Sequence, residues 1–76
     1  MTEAEETKLL IHKNTLREML NEEENEIYYY ANRCKMSFIE SSKARWKEAM
    51  NQHKSRYEAL DYAIELINKE LGEVAE

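Results

Sequence analysis

The sequence predicts an all-α chain folded as an antiparallel helical hairpin, coiled-coil-like along its length. Three observations predict it. Proline is absent, glycine occurs once and charged residues make up 36% of the 76 positions, a composition that favours helix and leaves few turns. Apolar residues in the second half recur every seven positions in two interleaved rows, the pattern of a helix buried along one stripe. A shorter set of stripes occupies the first half, so two arms are available to cover each other.

The second arm is the longer and more regular, and is expected to span about residues 38–74. One row is Met50, Tyr57, Ile64 and Leu71; the other is Trp46, His53, Leu60, Ile67 and Val74. Ser37 followed by Glu40 has the form of a capping box. Nothing interrupts the run before Gly72, where a helix stop is expected. A helix of this length extends roughly 55 Å at 1.5 Å per residue and needs a partner along its stripe.

The first arm is expected over about 3–34. Thr2 and Thr7 are candidate caps, and Glu3, Glu5 and Glu6 suit the positive end of a helix dipole. Leu9, Leu16 and Leu20 share one side, with Met19 at its edge and with Leu10 and Ile11 turned away from it. The stripe resumes at Ile27, Tyr30, Ala31 and Cys34. Between them, residues 21–26 read NEEENE. This is either a solvated part of one continuous helix or a break, at 21–25, with Asn21 capping a third helix. The reversal between the arms is placed at 35–37, Lys-Met-Ser.

Charge is unevenly distributed. Residues 1–34 carry a net −4, residues 35–56 a net +4 and residues 57–76 a net −5. Folding the chain near residue 36 brings positions whose numbers total about 72 level. Glu18 then lies near Lys54, and Glu22, Glu24 and Glu26 lie beside the basic stretch from Lys43 to Arg56. At the open end Glu3, Glu5 and Glu6 face Glu70, Glu73 and Glu76, an acidic pole that repels itself or receives a basic partner.

Length and composition bound the function. The chain allows one small domain with a modest core. No apolar run approaches the roughly 20 residues of a bilayer span, and the acidic MTEAEETK lacks the apolar region of a signal peptide. A single cysteine, Cys34, cannot form an internal disulfide, and a cytoplasmic location is expected. His12, His53 and Cys34 are the only soft metal ligands, and no pair has zinc-ligand spacing. Neither a nucleophile with its base nor a phosphate-binding glycine loop is present in sequence. The expectation is therefore a non-enzymatic chain without metal or cofactor. His53 reads as a polar seam residue of the kind that selects register.

Two surfaces remain as candidates. Lys43, Arg45, Lys47, Lys54 and Arg56 alternate with Trp46 and Tyr57, which offers an alternative reading as a binder of nucleic acid. A nucleotide ligand in a tyrosine-lined groove between protomers belongs to the same alternative. The aromatic seam positions and the pI of about 5.1 weigh against it, and nucleic acid is not the expected partner. Tyrosine is favoured in protein interfaces, and consecutive helical positions step by 100°, so Tyr28, Tyr29 and Tyr30 cannot all be core. Tyr28, Tyr29 and Tyr62, with the acidic Glu3, Glu6, Glu70 and Glu73, are the candidate partner-binding residues. Leu16, Leu20, Ile27, Trp46, Met50, His53, Tyr57, Leu60, Ile64, Ile67 and Leu71 are the expected seam. Two arms alone do not cover so many aromatics, so a homodimer or higher oligomer, most simply a four-helix bundle, is expected.

The short frame from Met1, the lack of proline and stretches such as NEEENEIYYY and KARWKEAMNQHKSRYEALDYAIELI resemble, in style, the small helical accessory proteins of phages and mobile elements. That resemblance implies a regulator or inhibitor that binds a host protein or defence system stoichiometrically.

Overall fold

The computed structural model describes residues 1–72 and consists of two helices. Helix α1 spans Glu3–Met36 and helix α2 spans Glu40–Glu70. They pack along each other as a hairpin 56 × 19 × 16 Å, and no strand occurs among the described residues.

Helix α1 begins where the sequence offers a cap. Thr2 is extended, and its hydroxyl accepts a hydrogen bond from the Glu5 amide at 3.2 Å while donating to the Glu5 carboxylate at 3.0 Å. Thr7 lies inside the helix. Residues 21–26 are continuous helix, so the three-helix alternative is not the structure. Glutamate is a good helix former, and one member of this run, Glu23, turns inward and meets a partner.

The reversal differs from the sequence reading. Helix α1 continues through Lys35 and Met36, and the chain turns over residues 37–39 instead of 35–37. Ser37 is the extended residue that ends α1, and its hydroxyl donates to the Ile39 carbonyl at 3.3 Å. It does not open α2. The N-cap of α2 is Ile39, with no side-chain cap hydrogen bond, so the Ser37–Glu40 capping box does not form. The reason is steric. A reversal without glycine has no easy left-handed residue, and no non-glycine residue here has positive φ. Extended residues at both Ser37 and Ile39 carry the chain across, which moves the start of α2 to Glu40.

At the far end Gly72 takes φ 77°, the left-handed position that glycine fills without strain. The Leu71 and Gly72 amides donate to the carbonyls of Ile67 and Lys69 at 2.9 and 3.1 Å. Helix α2 thus stops at Glu70, before the expected 74; Glu73, Val74 and Glu76 lie outside the described residues.

The seam follows heptad spacing on both helices. On α2 it comprises Lys43, Trp46, Met50, His53, Tyr57, Leu60, Ile64 and Ile67, with Leu71 just beyond; on α1 it comprises Leu9, Lys13, Leu16, Leu20, Glu23, Ile27, Tyr30 and Cys34. Among the described residues only Ile64 and Lys13, each 7% exposed, are buried, and the rest of the seam is half-buried. A lone pair of helices covers each stripe from one side only. The thinness is visible in the radius of gyration, 16.7 Å, against about 11 Å for a compact domain of this length.

The register also differs from the expected one. Glu23 meets His53, and Tyr30 stacks on Trp46. Level positions therefore have numbers totalling about 76, not 72, because the turn is centred on residue 38. Glu18 comes level with Glu58 instead of Lys54. Among the described residues, Glu18, Glu22, Glu24 and Glu26 form no ion pair with the bases of 43–56. Lys43 pairs within its own helix, with Glu40 at 3.9 Å.

Candidate protein-interaction surface

An aromatic cluster joins the helices near the turn. Tyr30 is its centre. Its ring stacks on Trp46 at 5.8 Å between centroids and on His53 at 5.4 Å, with interplanar angles of 28° and 17°. Tyr29 meets it edge-on at 5.1 Å. The Arg33 guanidinium lies 5.3 Å from the centroid of Tyr29 and 5.8 Å from that of Trp46, and its Nε donates to the Tyr29 hydroxyl at 3.1 Å. Behind this stack His53 Nδ1 lies 2.5 Å from Glu23 Oε2, with both side chains largely buried. Two polar seam positions, one from each helix, thus satisfy each other.

This cluster separates Tyr29 from the other two candidate tyrosines. Tyr29 is 47% exposed, and its ring and hydroxyl are occupied by Tyr30 and Arg33. Tyr28, 64% exposed, and Tyr62, 61% exposed, stand further out. They do not form one patch. Tyr28 is level with residue 48 and Tyr62 with residue 14, a separation of roughly 20 Å along the axis at 1.5 Å per residue. Trp46 and Tyr57 are half-buried on the seam, so the aromatic residues within and beside the basic 43–56 run are turned away from its charged face.

The open end brings Glu3, Glu6 and Glu70 together as exposed residues at one pole, Glu6 level with Glu70. Glu73 lies outside the described residues. Beside this pole the helices leave an open depression lined by His12, Thr15, Leu16 and Ile67. His12, Cys34 and His53 do not converge. Among the described residues no three His, Cys, Asp or Glu side chains stand close enough to hold a metal ion. The Cys34 thiol faces the Lys43 carbonyl at 3.8 Å. No helix among the described residues is long and apolar enough to cross a membrane.

Four features escape the sequence reading. Lys13, Glu23 and Lys43 are seam residues; the signal was present, since Lys13 and Glu23 complete the two heptad rows through Leu20, Ile27 and Cys34 and through Leu9, Leu16 and Tyr30, and Lys43 stands seven positions before Met50. The fourth is the turn. Phe38 is 97% exposed, and Met36 and Ile39 flank it as further exposed apolar side chains, where turns are normally polar. Ringing this tip are Arg33, Lys35, Lys43 and Arg45.

No protein-family model matches this chain, and no curated protein or solved structure matches it either.

Proposed function

We propose that the chain is a non-enzymatic interaction module that works by stoichiometric binding of another protein. The observation that supports this is the outward placement of bulky apolar side chains, Phe38 foremost, with Met36, Ile39, Tyr28 and Tyr62. Exposed aromatic and apolar groups of this size are the usual anchors of protein interfaces, and keeping them in water is unfavourable unless a partner covers them. The likeness in style to phage and mobile-element accessory proteins makes a host protein the first partner class to try, with inhibition or redirection as the outcome.

The test is capture from host lysate by the purified chain, with mass spectrometry to identify what is retained. Phe38→Ser, Tyr28→Ser and Tyr62→Ser are compared with the parent chain. A partner held at a fixed ratio, and lost with one of these changes while helix content is kept, supports the reading. Absence of any stoichiometric partner, or retention by all three variants, overturns it.

A further inference from the structure

We infer that a second copy of this chain packs side by side on the hairpin in the opposite direction, giving a four-helix bundle with the two turns at opposite ends. This goes beyond binding of a foreign partner and concerns the chain alone.

The first ground is area. A folded monomer of 9.1 kDa exposes about 4,900 Å², whereas the hairpin exposes 6131 Å². The excess is roughly 1,200 Å², and a standard interface takes about 800 Å² from each partner. The excess is larger than a standard interface takes and falls in the range of obligate homodimers, about 1,000 Å² or more from each partner.

The second ground is the face available. In an antiparallel pair of heptad helices, the positions flanking the seam form two sides. One carries Met19 and Tyr29 of α1 beside Ala49, Ala59, Ala63 and Leu66 of α2. Met19, Tyr29 and Leu66 are exposed, and the alanines let a second backbone approach closely. The same side also carries Glu26, Arg33, Arg45 and Arg56; the other carries Leu10 and Tyr28 among Arg17, Glu24, Lys47, Lys54 and Asp61, and has fewer apolar side chains.

The third ground, charge, decides the direction. The turn end, residues 33–47, carries five basic side chains and one acidic one, a net +4. The open end, residues 1–8 and 65–72, carries five acidic side chains and two basic ones, a net −3. The poles are separated by most of the 56 Å length, far beyond the screening length of about 8 Å at physiological salt, so each responds to its immediate neighbour. Parallel packing sets like poles together. Antiparallel packing sets each basic turn against an acidic open end. With Met19 near the two-fold axis, Arg33 and Lys35 of one copy come level with Glu5 and Glu3 of the other, and Lys43 and Arg45 with Glu70. Arg56 approaches its own equivalent at the axis, where long exposed side chains can splay apart.

The experiment uses the purified full chain. Light scattering is expected to give twice 9.1 kDa at micromolar concentration, with dissociation promoted by salt. Met19→Arg is expected to raise the dimer dissociation constant at least tenfold. Leu66→Glu, at a position already exposed, is expected to act in the same direction without loss of helix content. For direction, Glu5→Cys and Arg33→Cys are combined with Cys34→Ser and oxidised. Intermolecular bonds between positions 5 and 33 support the antiparallel bundle. Bonds joining 5 to 5 and 33 to 33 overturn the direction, and unchanged mass in Met19→Arg and Leu66→Glu overturns the face. A monomer at every concentration overturns the inference as a whole, and leaves the capture experiment to decide the partner-binding reading separately.

Discussion

Glu23 of α1 and His53 of α2 face each other across the seam, carboxylate to imidazole at 2.5 Å, between apolar and aromatic neighbours. Neither group reaches bulk water easily, and each depends on the other.

Removing one partner leaves a largely buried polar group unsatisfied, which costs more than the pair contributes. Glu23→Ala and His53→Ala should each destabilise, and a double-mutant cycle should give a coupling of about 1–3 kcal/mol. Glu23→Leu with His53→Leu should be close to neutral or stabilising. Urea midpoints measure all of these; additive single changes would show that the contact is not an energetic pair.

Ile64 is the buried apolar centre of the seam. Ile64→Ala should cost about 2–5 kcal/mol through lost burial and the cavity left behind. Lys47→Ala, on an exposed position, should stay within about 0.5 kcal/mol. Thermal unfolding followed by circular dichroism compares them, and equal shifts would mean that the seam does not hold the hairpin together.

The two helix starts differ in kind. Thr2 caps α1 through its hydroxyl, so Thr2→Ala should cost about 0.5–2 kcal/mol. Ser37 caps no helix N-terminus, so Ser37→Ala should cost less than Thr2→Ala. A larger loss at Ser37 would restore the capping box that the sequence suggests.

Helix α2 starts at Ile39 without any side-chain cap. Ile39→Asp supplies an acceptor for the orphan amides of its first turn and removes an exposed apolar side chain, and should stabilise by about 1 kcal/mol. A lowered unfolding midpoint would show that Ile39 is covered in the folded protein, as a partner at the turn would require.

Much of this architecture was already determined by the sequence. Heptad spacing from Trp46 to Leu71, with no proline, determined a helix with one buried stripe. The stripes of the first arm determined that it would pair with it, and glycine at 72 marked a stop near the end, though the helix ends at Glu70 and not at 74. Periodicity reports such features because it depends only on neighbours along one helix. Only the tertiary structure decided the rest. The turn moved to 37–39 because the crossing needs extended residues that local capping rules do not count. That shift of register placed Glu23 against His53 and Tyr30 between Trp46 and His53, contacts between residues 16 to 30 positions apart. It also tied Tyr29 to Arg33 while leaving Tyr28 and Phe38 in solvent. Exposure of that kind depends on which side of each helix the other one covers, and that is settled only when the two arms meet.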